Sequence, residues 1–235
     1  MDRKVLIIGA SSSLGRKLSE KFFLEKYRVY ATYNKNKKKL DRKKLYFTYK
    51  LNFLSIKSIK TFSKKIKNIK FDIILFVAAF IKEKNNLKNN KFGSINPRSL
   101  LNFFFINCLA NIKLFEYLLK NKCIKKKGKV IFFSSLAGSI YYRGKLGHHK
   151  RFGNMSYRIS KASLNSAVKN ISYDLDRRGF IIISLHPGYV KSGHKNRNSN
   201  LSENLAIKHI YKTILSLKKK DHGRFINYNG KYLKW

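Results

Sequence analysis

Apolar and polar residues alternate in blocks along the chain. Short apolar runs, rich in β-branched and aromatic residues, alternate with longer segments in which apolar residues recur every three or four positions. The first pattern predicts strands and the second predicts amphipathic helices. Strands are predicted at residues 5–8, 28–32, 45–49, 71–79, 129–133, 180–185 and 224–228, and helices at 14–26, 55–69, 100–119, 157–175 and 202–217.

Strands that alternate with helices are typical of an α/β fold in which a parallel sheet carries helices on both faces. The run FDIILFVAA, residues 71–79, is almost continuously apolar, as expected of a strand that is buried on both sides. We therefore predict a doubly wound parallel sheet. The 235 residues fit one such domain, which would span residues 1–235.

The formal net charge of the chain is +42, which is extreme. A basic surface is expected of nucleic-acid binders, and it would also be attracted to anionic membranes or substrates. However, the abundant Lys, Asn, Ile, Phe and Tyr all have A/T-rich codons, and the lysines are spread along the chain. We favour compositional drift as the cause of the charge and expect no nucleic-acid partner.

No segment approaches the ~18 uninterrupted apolar residues of a membrane span, and the first apolar run is too short for the core of a signal peptide. The two cysteines, Cys108 and Cys123, have neither CxxC nor metal-like spacing. We expect a cytoplasmic protein with two reduced thiols, no membrane attachment and no metal site.

The stretch IIGASSSLGR, residues 7–16, follows the first predicted strand. Such a strand-to-helix turn can hold a dinucleotide pyrophosphate on helix N-terminal amides. Gly9 would permit the tight turn and Gly15 close packing, while the serines at positions 11–13 could donate hydroxyls to phosphate. The spacing is not GxGxxG, because Ser13 stands where a glycine is usual. A purely structural turn therefore remains an alternative.

The second predicted strand leads into ATYNKNKKK, residues 31–39, where a NAD site would offer an acidic residue to the ribose. No carboxylate occurs before Asp41, and Asn34, Lys35 and Lys37 would tolerate or attract a 2′-phosphate. This favours NADP as the cofactor, with NAD as the alternative.

Tyr157 and Lys161 form a YxxxK pair at the start of a long predicted helix that is rich in small residues. Side chains four residues apart project from the same helix face. Upstream, the strand predicted at residues 129–133 runs directly into Ser134 and Ser135. A serine at the carboxyl end of a sheet strand lies beside the cofactor crevice of such folds.

Together these motifs resemble the short-chain dehydrogenase/reductase family, whose members have a Rossmann-type fold. The similarity extends over nearly the whole chain, and the long segment before Tyr157 and the ending GRFINYNGKYLKW further resemble the C-factor-like branch. Five segments resemble family motifs: IIGASSSLGR its TGxxxGxG loop, FFINCLANIKLF its asparagine helix, GKVIFFSSLAGSI its serine strand, SYRISKASLNS its YxxxK helix, and LHPGYVKS its Pro-Gly turn.

The resemblance implies an oxidoreductase that transfers a hydride between NAD(P) and a small carbonyl or alcohol substrate. Tyr157 would be the general acid/base, and Lys161 would lower the phenol pKa and bond the nicotinamide ribose. Ser135 would hold the substrate oxygen, and Asn107 a water in a proton relay. The implied cofactor-binding residues are Gly9, Ser11, Ser12, Ser13, Leu14, Gly15, Asn34, Asn52, Phe53, Ala78, Tyr157, Lys161, Pro187, Gly188, Val190 and Ser192.

The resemblance also implies a homodimer or homotetramer, formed through the helices that carry Asn107 and Tyr157. Four departures affect the cofactor site. Ile8 replaces a threonine, Ser13 a glycine, residues 76–79 the Asn-Asn-Ala-Gly motif, and Asn52 an aspartate that contacts adenine. The four residues implied for catalysis are thus all present, whereas the segments implied to hold the cofactor, here called the cofactor cradle, are altered. The second hypothesis is accordingly a non-catalytic, dinucleotide-binding regulatory protein.

Overall fold

In the computed structural model, described for residues 3–35, 47–81, 91–145, 154–191 and 201–235, strands and helices alternate along the chain. The strands are β1 (Lys4–Ile8), β2 (Arg28–Tyr33), β3 (Phe47–Lys50), β4 (Phe71–Phe76), β5 (Ile124–Phe133), β6 (Ile181–His186), β7 (Val190–Lys191), β8 (Leu201–Ser202), β9 (Phe225–Asn227) and β10 (Tyr232–Leu233). The helices are α1 (Ser13–Leu24), α2 (Ile56–Lys65), α3 (Pro97–Phe104), α4 (Ala110–Lys120), α5 (Met155–Asp174) and α6 (Glu203–Ser216).

Within the described residues, eight strands form one sheet in the order β10-β9-β6-β5-β4-β1-β2-β3. Its pairs are parallel except for β10, which runs antiparallel to β9. The chain winds outward from β1 in both directions, so the strand order reverses next to β1. Such a switch point opens a crevice at the carboxyl edge of the sheet, where ligands bind in this fold class.

Each face of the sheet is covered by its own hydrophobic cluster. Alternate residues of β1 show this division, because Val5 belongs to the cluster under α1 and α6, whereas Leu6 belongs to the cluster under α2, α4 and α5. Helices on both faces explain why the strands read as continuous apolar runs. The predicted doubly wound parallel sheet is therefore confirmed.

Two predicted elements are interrupted or shortened. The strand predicted at 71–79 ends at Phe76, because the N–H groups of Val77 and Ala78 both donate to the Ile8 carbonyl and leave the ladder. The helix predicted at 100–119 contains a π-helical turn, Phe105–Leu109, between α3 and α4. Such turns are frequent at functional sites, and this one carries Asn107. In the described part of the chain, no helix is both long and apolar enough to cross a membrane.

Candidate active site

The turn between β1 and α1 depends on Gly9. This residue has φ +89°, and a Cβ placed on it would lie 2.6 Å from the backbone of Ala78. Both observations exclude larger residues, because any side chain would strain the backbone at this φ and would overlap Ala78, which follows β4. The Gly9 N–H donates to Thr32 Oγ1 at 2.9 Å, which ties the turn to the end of β2.

The three serines of this loop differ in what their hydroxyls bind. Ser12 caps α1: its hydroxyl donates to the Gly9 carbonyl at 2.8 Å and accepts from the Gly15 N–H at 3.1 Å. Ser13 donates to a carboxylate oxygen of Glu203, the first residue of α6. Of the three, only the Ser11 hydroxyl has no such partner among the described residues. The expectation that all three donate to phosphate therefore needs these local bonds to be exchanged.

Gly15 packs the start of α1 against the turn. A Cβ there would lie 2.3 Å from the Gly9 carbonyl oxygen and 2.9 Å from the Ala10 Cα. Its predicted role in close packing thus agrees with the geometry. Leu14 is half-buried and packs against the cluster under α1 and α6.

A cleft of about 240 Å³ lies at the carboxyl edge beside this turn. No carboxylate lies among its described lining residues. Of the residues predicted to bind cofactor, it is lined by Gly9, Ser11, Ser12, Asn34, Asn52, Phe53 and Ala78. Sequence reasoning missed Ile8, Thr32, Tyr33, Leu51, Leu54, Ala79, Phe80 and Ile106. Several of these end or follow a strand at the carboxyl edge, which is the signal that would have identified them.

Ser135 and Tyr157 meet at the same edge. Ser135 precedes a 3-10 turn, Leu136–Gly138, and its hydroxyl accepts from the Ala137 N–H at 3.1 Å. It also forms a side-chain hydrogen bond with Tyr157, which projects from the first turn of α5. Burial raises the pKa of the Tyr157 phenol above its ordinary value, and the bond from Ser135 opposes that rise. The phenol is therefore protonated at neutral pH.

Lys161 lies one helical turn further along α5 and is only 1% exposed. Its ammonium nitrogen lies 5.9 Å from the centroid of the Tyr157 ring and donates to the Phe133 carbonyl at 2.7 Å. Burial lowers its pKa to about 7, and a Coulombic interaction with Cys108 opposes this effect. Gly138 fits against the backbone of Lys161, where a Cβ would lie 2.6 Å from a backbone carbon.

Asn107 is fully buried and connects two parts of the site. Its Oδ1 accepts from the Phe80 N–H at 2.7 Å, and its Nδ2 donates to the Phe80 carbonyl at 2.9 Å. The same Nδ2 donates to Ser160 Oγ at 2.9 Å, on α5 between Tyr157 and Lys161. Asn107 thus joins the wall of the cleft to α5, and its role in a water relay stays a prediction.

The Pro-Gly turn follows β6. Gly188 has φ +85°, and a Cβ there would lie 2.5 Å from a methyl carbon of Leu201, so this position also requires glycine. Pro187, Gly188 and Val190 do not line the 240 Å³ cleft. Val190 instead begins β7 and pairs with Leu201 of β8. Ser192, also predicted to bind cofactor, lies outside the described residues.

The likeness to solved structures defines the class of fold. Carbonyl reductase Sniffer of D. melanogaster matches with a TM-score of 0.83 and 21% identity, covering 100% of both chains. An NADPH-bound carbonyl reductase from chicken fatty liver matches with a TM-score of 0.84 and 22% identity, covering 100% of this chain and 99% of that one. The fold is thus the Rossmann-type α/β sheet that the sequence predicts.

The family follows from the sequence comparison. The model of the family "short chain dehydrogenase" matches residues 3–203, and the chain belongs to this oxidoreductase family. C-signal of Myxococcus xanthus is 28% identical over 143 residues, which is 61% of this chain and 82% of that protein. An uncharacterised oxidoreductase of Saccharomyces cerevisiae is 30% identical over 152 residues, 57% of this chain and 56% of the yeast protein. The match therefore spans only about half of the yeast relative.

Proposed function

We propose that the protein is an NADP(H)-dependent oxidoreductase that interconverts a small carbonyl compound and its alcohol. The observation that carries this proposal is the meeting of Ser135, Tyr157 and Lys161 at the carboxyl edge of the sheet. These three residues do not line the cleft themselves, but Asn107 connects Phe80 of the cleft to Ser160 of α5. Membership of the short chain dehydrogenase family supports the class of reaction. The C-signal match supports placement in the C-factor-like branch.

The cleft fits a dinucleotide that carries an additional phosphate. Gly9 permits the tight turn that borders the cleft, and no carboxylate among the described lining residues would repel a 2′-phosphate. Gly9, Ser11, Asn34 and Asn52 would hold the cofactor, which supplies the hydride when bound. Related folds from chicken fatty liver and Burkholderia multivorans have been solved with NADPH or NADP bound, which supports NADP over NAD.

The raised pKa of Tyr157 determines which direction its chemistry favours. A protonated phenol can give its proton to the oxygen of a carbonyl as that oxygen gains negative charge, and Ser135 lies where it can donate to the same oxygen. The nearby Lys161 stabilises the phenolate that remains, when it carries its proton. Reduction at neutral pH is therefore the favoured direction, while oxidation of an alcohol requires deprotonated Tyr157 and a higher pH.

The test is oxidation of NADPH, followed by absorbance, against a panel of aldehydes and ketones. We expect Tyr157→Phe to lower kcat by roughly 10²–10⁴-fold, because the general acid is lost. Tyr173→Phe is the matched control, since Tyr173 lies on the same helix and is 84% exposed. Absence of NADPH and NADH binding at millimolar concentration would overturn the proposal, as would wild-type turnover in the Tyr157→Phe variant.

A second candidate is a non-catalytic dinucleotide-binding regulator. The altered cofactor loop motivates this candidate, because Ser13 stands where a glycine is usual and bonds the carboxylate of Glu203. This candidate predicts cofactor binding without turnover of any carbonyl, and a Tyr157→Phe variant that behaves as wild type in the cell. The same assay therefore separates the two functions.

We further infer a homodimer or homotetramer that assembles through the helices carrying Asn107 and Tyr157. Exposed apolar side chains on both helices support this, with Leu101 65% exposed on α3 and Ile159 37% exposed on α5. Sedimentation of the purified protein tests the assembly. A cytoplasmic location is supported by the two buried free thiols, Cys108 and Cys123, and fractionation of cells tests it.

A further inference from the structure

The turn that carries Ser135 has one backbone donor that the turn itself does not satisfy. Within the turn, the Ala137 N–H donates to Ser135 Oγ at 3.1 Å and the Gly138 N–H donates to the Ser135 carbonyl at 2.9 Å. The Leu136 N–H points elsewhere and donates to Nδ1 of His186 at 3.3 Å. Among the described residues, His186 is thus the side chain outside the turn that completes its hydrogen bonding.

The position of His186 follows from the strand that carries it. His186 is the last residue of β6, and Pro187 follows it, which restricts the His186 backbone to extended conformations. Side chains alternate along a strand, so His186 faces the same side of the sheet as Ile182, which packs in the cluster under α5. The Ser134 N–H donates to the Leu185 carbonyl at 2.8 Å and fixes the register between β5 and β6 at this point.

The hydrogen bond also defines the protonation of the imidazole. A backbone N–H can only donate, so Nδ1 of His186 accepts and carries no proton. The bond joins the end of β6 to the peptide between Ser135 and Leu136. That peptide sets the direction of the Ser135 side chain, which bonds Tyr157.

We propose that His186 is a positioning residue for Ser135, acting through the Leu136 N–H to hold the serine hydroxyl against Tyr157. The expected effect on kcat rests on the proposed reductase function, whereas the expected effect on the Ser135 turn does not. Without an acceptor, the half-buried Leu136 N–H has to find another partner, so the Ser135–Leu136 peptide rotates and the Ser135–Tyr157 bond weakens.

Two substitutions separate this role from simple packing. His186→Leu removes the acceptor, whereas His186→Asn places an amide oxygen where Nδ1 lies and restores it. His222 provides the matched control, because its Nδ1 also accepts a backbone N–H, that of Ile182, at 3.1 Å. Ile182 lies four residues before His186 on β6, about 13 Å away along the strand. His222→Leu and His222→Asn should therefore change stability without changing the catalytic turn.

Three measurements decide the outcome. In His186→Leu, hydrogen exchange of the Leu136 amide should accelerate, the pKa of ring-labelled Tyr157 should rise by NMR titration, and kcat should fall roughly 10- to 100-fold with Kd for NADPH unchanged. His186→Asn should restore all three towards wild type. Unchanged exchange in His186→Leu, failure of Asn to rescue, or wild-type kcat in His186→Leu would each overturn the proposal. If the wild type turns over no carbonyl, the proposed function fails, while exchange and titration still decide the role of His186.

Discussion

Lys161, which we propose as a catalytic residue, is expected to destabilise the folded protein at neutral pH. Its side chain is 1% exposed, and the Phe133 carbonyl accepts its hydrogen bond. Burial lowers its pKa from the ordinary 10.5 to about 7. That difference corresponds to about 5 kcal/mol in favour of the neutral amine within the cofactor-free protein. A lysine that is neutral when folded and charged when unfolded makes unfolding easier at neutral pH.

The sign of the pH dependence follows from proton binding. Between pH 7 and about 10.4, the unfolded chain holds a proton on Lys161 that the folded protein lacks, so the free energy of unfolding rises with pH. From pH 7.5 to 9.5 this one group contributes a rise of about 2.5 kcal/mol. Lys161→Met cannot titrate and lacks this rise. We expect it to be more stable than wild type at pH 7.5, with an advantage that shrinks by that amount at pH 9.5.

Urea unfolding of wild type, Lys161→Met and Lys212→Met at both pH values measures the effect. Lys212 is an exposed lysine on α6, and its substitution should change stability by less than about 0.5 kcal/mol at either pH. Lys161→Met should also lose reductase activity while its stability at pH 7.5 rises. The reasoning is refuted if wild type and Lys161→Met show the same dependence of unfolding free energy on pH.

Two further substitutions test the altered cofactor cradle. Phe76 is 1% exposed and stacks on Phe132 with ring centroids 4.4 Å apart. Phe76→Ala should therefore lower the free energy of unfolding, measured by urea titration, by about 3–5 kcal/mol. A loss below about 1 kcal/mol would contradict this packing. Glu203→Gln should tighten NADPH binding by about 1 kcal/mol, roughly fivefold in Kd, because the carboxylate bonded to Ser13 no longer repels phosphate. Fluorescence titration measures this Kd, with Glu20→Gln as the control, and weaker binding by Glu203→Gln would refute the electrostatic argument.

The strands were predictable because a sheet covered on both faces needs apolar residues at every position. The apolar pattern does not predict residues 124–128 of β5, IKKKG, as strand. Here the strand extends beyond the core, and its lysines interrupt the apolar run. The meeting of Ser135 and Tyr157 was predictable, since the carboxyl edge of a parallel sheet holds both the end of β5, which leads into Ser135, and the start of the following helix, which carries Tyr157. The Ser13–Glu203 contact was not, because it joins residues 190 positions apart and depends on how α6 packs against α1.

Two of the departures from the family pattern are absorbed by local repacking. Ile8 is fully buried in the cluster under α2, α4 and α5, and the hydroxyl that holds the Gly9 N–H comes from Thr32 of the neighbouring strand. Phe76 becomes part of the aromatic core through its stack on Phe132.

The backbone also accommodates Ser13 and Asn52 without distortion. Ser13 begins α1 and does not adopt a positive φ, so replacing glycine there introduces no backbone strain. Asn52 lines the cleft and its Oδ1 accepts the Leu54 N–H at 3.0 Å. What differs at this turn is charge, because Ser13 bonds the carboxylate of Glu203. If the cofactor binds at this turn as we propose, its affinity depends on how easily that contact is exchanged for phosphate, rather than on the shape of the turn.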